Sequence, residues 1–173
     1  MFASEIRKRR IQGMRSSRWL LDEIFVKING ERHCLWRAMD QEGEVLESFV
    51  TKTIDRKAAL KFLKKTMKKH GRADVFVTVK FRSYSAALRD LGAVDRQETG
   101  RWVNKRAENS HLPFRRRERA MLRFRRMRTL QKFAAVHALV QNLFNTERSL
   151  PSRRHFNQNR AAALTEWRGL CAA

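Results

Sequence analysis

The sequence predicts an α/β fold, a mixed sheet with helices and a helical C-terminal extension, and three observations predict it. Asn29-Gly30 separates two runs rich in strand-forming residues, the strongest short-range sign of a hairpin. Asp74 to Val79 is almost wholly apolar, the mark of a strand buried on both faces in mid-sheet. Beyond Asn104 the apolar residues recur at helical rather than strand spacing.

The elements follow in order. Residues 3–18 form a short basic helix with a sparse apolar edge of Ile6, Ile11 and Met14. Leu20 to Ile28, with Ile24, Phe25, Val26 and Ile28, is the first strand, and Glu31 to Met39 the second. The turn Asp40 to Gly43 leads to a third strand, Glu44 to Thr51. Asp55 then caps a helix whose apolar positions are Ala58, Ala59, Phe62, Leu63 and Met67, with lysines on its other face and Gly71 at its end. After the Asp74 to Val79 strand comes a helix from Ser83 to Leu91, closed by Gly92. A right-handed crossover puts the fourth strand parallel to the first. Leu112-Pro113 is expected to interrupt the segment after Asn104. Met121, Phe124, Leu130, Phe133, Ala134, His137, Val140 and Phe144 mark a long amphipathic stretch, which Pro151 closes. Residues 156–170 supply a terminal helix around Leu164, Trp167 and Leu170. Trp102, Trp167 and the phenylalanines at 124, 133 and 144 read as core rather than as base-stacking platforms.

The 173 residues allow one domain with a real core plus a helical appendage. A 42% apolar fraction is enough to fold, so the chain is not a disordered polycation. Its formal charge of +22 and pI near 11.5 attract polyanions and make such binding steeply salt-dependent. DNA, RNA or the ribosome are the natural partners. No window offers the roughly 20 apolar residues of a membrane span, and Met1 to Arg18 lacks the apolar run of a secretory signal. Cys34 and Cys171 match no metal or redox spacing and read as reduced thiols of a cytoplasmic protein.

Three blocks carry a family resemblance: Trp19 to Glu31, Trp36 to Asp40, and Asn104 to His111 (Asn-Lys-Arg-Ala-Glu-Asn-Ser-His). Together, in order and spacing, the chain resembles the catalytic domain of bacterial insertion-sequence transposases of the Asp-Asp-Glu type, in the insertion-sequence-six family. The resemblance implies a ribonuclease H-like fold, whose element order matches the one above. It also implies two-metal phosphoryl transfer, in which carboxylates hold two divalent ions, Mg²⁺ with Mn²⁺ as substitute. Carried over, Asp22 is the first catalytic and metal-binding residue and Glu108 the third.

The second position falls at Val79. The family reads Val-Thr-Asp, then Arg-Ser-Tyr shortly after; this chain reads Val77-Thr78-Val79-Lys80-Phe81-Arg82-Ser83-Tyr84. Valine cannot coordinate a metal, so metal binding and strand transfer are expected to be weakened or lost. Rescue by a neighbour is not expected. Asp74 falls on the opposite strand face by its odd offset, and Asp95 and Glu98 lie beyond the next helix. Lys80 adds charge of the wrong sign. Asp40 reads as a turn residue.

The arginine block of Arg115, Arg116, Arg117, Arg119, Arg123, Arg125, Arg126 and Arg128 is too dense for Glu118 to neutralise, which suggests a phosphate-tracking surface that positions DNA without reading bases. Lys80, Arg82, Lys105, Arg106 and His111 complete the DNA-binding candidates, His111 being equally readable as a capping or surface residue.

The expected organisation is a basic segment at 1–18, the catalytic domain at 19–146 and a helical tail at 147–173. The helix-turn-helix that precedes the catalytic domain in the family is largely absent, and with it end-specific recognition. The expected partners are double-stranded DNA, both element ends and target, and further copies of the chain or a full-length transposase; no membrane is involved, and the location is cytoplasmic, with the nucleoid. The alternative function is a non-catalytic basic DNA-binding protein or inhibitory transposase subunit. A third, RNA or ribosome binding, rests on pI alone. The stretch from Leu130 to Phe144 could serve self-association or pack on its own sheet, the second use being simpler.

Overall fold

A computed structural model of the chain describes residues 18–41, 43–78, 82–99, 105–121, 124–144 and 153–171, with the backbone alone at 105–110, 143, 144, 153–156, 159, 166, 170 and 171. The basic helix expected at residues 3–18 lies outside them, as does Trp102.

Three strands open the fold: β1 (Arg18–Ile28), β2 (Glu31–Met39) and β3 (Val45–Thr51). Asn29 and Gly30 both have positive φ, 51° and 84°, the backbone that a two-residue hairpin turn demands. This turn fixes the antiparallel register, with Ile28 opposite Glu31 and Asp22 opposite Arg37. A tight turn returns β2 into β3, with Asp40 accepting the Glu44 amide through Oδ1 at 2.8 Å.

Helix α1 (Arg56–His70) starts where Asp55 Oδ1 accepts the Ala58 amide at 2.7 Å. Gly71, at φ 79°, ends it, its amide donating to the Met67 carbonyl. Strand β4 (Val75–Thr78) follows and pairs parallel to β1; helix α2 (Arg82–Asp90) comes next. A short strand absent from the sequence reading, β5 (Gln97–Thr99), pairs parallel to β4, so the sheet order is β3-β2-β1-β4-β5. Three helices complete the chain: α3 (Lys105–Ala120), α4 (Met127–Phe144) and α5 (Arg153–Cys171).

Side chains alternate across a strand, so each face of the sheet builds its own core. One face gathers Trp19, Leu21, Trp36, Phe76 and the buried sides of α1 and α2. The other gathers Ile24, Val26, Leu35 and Val50 with Phe114 of α3 and Leu130 and Ala134 of α4. On that second side α4 also covers the outer edge of β3. Gln131 accepts the Val50 amide at 2.9 Å and donates to the Ser48 carbonyl at 2.8 Å, and Asn142 does the same for both backbone groups of Val45 at 2.8 and 3.0 Å. Packing on its own sheet is thus a use that α4 makes of its apolar side.

The C-terminal part differs from the sequence reading in three places. Pro113 does not interrupt the segment; α3 runs through it. A proline inside a helix removes one hydrogen bond and costs about 3 kcal/mol, but the next residue, Phe114, is buried against Phe133 and His137, and this tertiary anchor outweighs the local preference. Phe124 is not in the amphipathic helix. It lies in an extended link, bridged in parallel to Ile28 and buried, while Met121 is exposed. Trp167 is not core: it is exposed on α5.

Candidate active site and its basic surface

Asp22 is on β1, on the face that α3 and α4 cover, and is 3% exposed. A carboxylate buried this far needs compensation. Its cross-strand neighbour, Arg37, is as deeply buried and supplies a cation on the same face. Burial lowers the Arg37 pKa to about 10, against the pull of the Asp22 charge, so the guanidinium stays charged at neutral pH. His111 of α3 reaches down to the same carboxylate, its Nε2 against Asp22 Oδ2. Burial, then Arg37 and Arg115, lower the imidazole pKa to about 4, which makes it a neutral ring at pH 7.

The other face of β1 holds a second carboxyl, Glu23. Burial and then the Asp22 charge raise its pKa to about 8, with the Tyr84 hydroxyl opposing. Tyr84, wholly buried on α2, donates to the backbone carbonyl of Asp22 at 3.2 Å. The described part of β4 pairs with β1 as far as Leu21, one residue before this carbonyl. Burial also pushes the nearby Cys34 thiol up, as do Glu23 and Asp22, so Cys34 is a closed, unreactive thiol.

Of the residues singled out from sequence, the structure brings Asp22 and His111 together. Glu108, Lys105 and Arg106 lie on α3, with side chains outside the described residues; Val79, Lys80 and Arg123 lie wholly outside them. Arg116, Arg117 and Arg119 are exposed along α3, and Arg115 is half-buried and paired with Glu118 at 2.6 Å. Arg125 and Arg126 are exposed just before α4, and Arg128 is exposed in its first turn. Arg82 stands apart, at the start of α2 on the other face of the sheet. Of the carboxylates weighed against Val79, Glu98 is on β5 and pairs with Arg18.

Sequence reasoning missed Arg37, Glu23 and Tyr84. Arg37 had a signal, since the Asn29-Gly30 turn fixes the register that sets it opposite Asp22.

A divalent ion takes hard oxygen ligands. Among the described residues no group of three His, Cys, Asp or Glu side chains converges at Asp22, which Arg37 and His111 adjoin, and the side chain of Glu108 lies outside them. Among the described residues no helix is long and apolar enough to cross a membrane.

A family model described as a DDE domain matches residues 16–147. The chain belongs to the DDE-domain family of insertion-sequence transposases. Among its relatives is the transposase for insertion sequence-like element IS431mec of Staphylococcus aureus strain Mu50, 32% identical over 71 residues, which are 41% of this chain and 32% of that protein. The transposase for insertion sequence element IS257 in transposon Tn4003, also from Staphylococcus aureus, matches to the same extent, 32% over 71 residues. The chain therefore spans about a third of the length of the curated transposases it matches, 32% of each. An uncharacterized protein, pYV0051, of Yersinia pseudotuberculosis serotype I is 30% identical over 78 residues, 43% of this chain and 73% of that protein.

Two solved structures share the fold. The catalytic core domain of BIV integrase aligns with a TM-score of 0.52 at 16% identity, covering 78% of this chain and 86% of that one. The Mos1 transposase catalytic domain, solved with Raltegravir and Mn, aligns at 0.50 and 13% identity, covering 93% and 90%. The DDE domain is thus ribonuclease H-like, in agreement with the mixed five-stranded sheet.

Proposed function

We propose that this chain is the catalytic portion of an insertion-sequence transposase that holds duplex DNA but is impaired, as written, in DNA 3′-end cleavage and strand transfer. The observation that carries the reading is the placement of α3. This helix bears Glu108 and the first half of the arginine block, Arg115, Arg116, Arg117 and Arg119, and it lies across the face of the sheet that holds Asp22, with His111 against that carboxylate. Exposed Arg116, Arg117 and Arg119 give the α3 surface a phosphate-binding character beside the reaction centre.

The impairment rests on the sequence at Val79. Asp22 and Glu108 are present, and the block Arg82-Ser83-Tyr84 is intact, but the residue between them that should be an aspartate has no oxygen to offer a metal. Residues 19–146 are assigned to catalysis, with 1–18 and 147–173 flanking. The partners are element-end and target DNA and further transposase copies, in the bacterial cytoplasm.

A second reading, a non-catalytic DNA-binding or inhibitory subunit, is favoured by Arg37. Its buried cation balances Asp22 without a metal, which suits a site kept for stability. Nicking and strand transfer on supercoiled DNA with Mg²⁺ or Mn²⁺ separate the two. The expected result is an inert parent chain and a nicking-competent Val79→Asp variant. An active parent refutes the impairment. An inactive variant that still binds DNA gives the lead to the second reading, which then requires the parent to inhibit an active full-length transposase when mixed with it.

A further inference from the structure

Helix α1 carries four exposed lysines, Lys57, Lys61, Lys64 and Lys68. Their spacing of four, three and four residues places them on one stripe, since 3.6 residues make a turn, and at 1.5 Å per residue the stripe is about 16 Å long. Lysine on a helix is ordinarily offset by acids one turn away, but α1 contains no Asp or Glu. The acids that border it are engaged elsewhere. Glu47 pairs with Lys69 at 2.5 Å and Lys65 at 3.4 Å, Asp90 with Arg56 at 2.5 Å, and Asp55 caps the helix. Lys61 rests above the Phe49 ring at 5.6 Å and the Asp55 charge acts on Lys57, but among the described residues none of the four forms an ion pair.

Helix α1 packs on the sheet face of Trp19, Trp36 and Phe76, and α3 on the opposite face. Two helix layers and a sheet separate the two basic surfaces, more than about 20 Å with helices 10–12 Å across. A straight duplex lying along the α3 arginines cannot touch the α1 lysines, and wrapping it around would require a costly bend.

We propose that the α1 stripe is a second DNA-backbone surface, which holds a separate duplex while the arginines of α3 hold the first. The partner is duplex DNA because a row of point-like ammonium charges over such a length tracks phosphates without reading bases. This deepens the transposase reading, for strand transfer brings two duplexes together, and rests on it for the identity of the polyanion.

The test is bridging: beads carrying one duplex capture a second, fluorescent duplex through the full chain. The variant Lys57→Gln/Lys61→Gln/Lys64→Gln/Lys68→Gln keeps helix-forming residues at all four positions, and an unchanged melting temperature checks its fold. It is expected to keep single-duplex binding while losing at least about tenfold in bridging, and with it a salt dependence near four counterions. Arg116→Gln/Arg117→Gln/Arg119→Gln is expected to lose bridging as well, with weaker single-duplex binding. Bridging by the lysine variant equal to the parent's overturns the proposal, as does a parent that bridges nothing, or RNA duplex displacing the second DNA more readily than DNA itself. No bond is broken in this assay, so an inactive Val79→Asp chain leaves the bridging result standing, and a bridging failure leaves the nicking result standing.

Discussion

On one face of the sheet Trp19, Trp36, Phe62 and Phe76 interlock with two helices into an almost wholly apolar core. On the other, the apolar layer is split into two clusters, and Asp22, Arg37 and His111 occupy the same side of the sheet. The same five strands thus support two kinds of interior. The first gains chiefly from dispersion and water exclusion, with Glu23 as a buried carboxyl; the second holds a charged group whose burial must be offset by an arginine. The difference separates stability from function. In the proposed reading Asp22 serves the chemistry, and the opposite face supplies folding energy that offsets its burial.

Breaking the first face should give the largest loss. Trp36 is fully buried, stacks on Phe62 at 6.2 Å, meets Tyr84 edge-on at 5.3 Å and donates to Thr51 Oγ1 at 2.7 Å. Trp36→Ala is expected to lower unfolding free energy by about 3–5 kcal/mol, read as a drop in the urea midpoint; a midpoint within error of the parent would undo the claim that this face carries the stability.

The polar face should respond differently. Arg37→Met strands Asp22 without its cation and is expected to cost about 3 kcal/mol, whereas adding Asp22→Asn to the same chain should recover most of that loss. Equal instability of the single and double variants would mean that Arg37 acts by packing rather than by charge.

The smallest effect belongs to the rim of the apolar face. Burial works to raise the Glu47 pKa, but Lys69 and Lys65 outweigh it and hold the carboxylate below its ordinary 4.5. A folded value below the unfolded one stabilises above pH 4.5, and this contribution fades as pH falls through the lower, folded value. Glu47→Gln should therefore cost no more than about 1 kcal/mol at pH 7, less in high salt, and nothing in strong acid; chemical denaturation across that pH range reads all three.

The strand order through α2 was legible because local chemistry forces it: positive φ at Asn29-Gly30, the Asp55 cap and the Gly71 stop each act within a few residues. Strand β5 was not, since Gln97–Thr99 is three residues long and mostly exposed, and only its parallel pairing with β4 makes it a strand. Pro113 and Phe124 misled for the same reason. Their conformations are set by burial against Phe133, and by a bridge to Ile28, contacts that no local window contains. At the candidate site, Asp22 was readable from its block, but its contact with His111 depends on how α3 crosses the sheet. The reading of Val79 as standing where the resemblance puts a second aspartate rests on sequence alone, since Val79 lies outside the described residues.

The amide side chains of Gln131 and Asn142 have a consequence for assembly. An outer strand with unclaimed backbone groups invites another chain to add itself, the usual route to sheet-to-sheet polymerisation. Here two side chains of α4 impersonate the missing strand at Val45, Ser48 and Val50. Another copy could join along β3 only after prising α4 away. During synthesis, the docking of α4 is the moment at which the exposed rim of a freshly made sheet stops being an aggregation hazard.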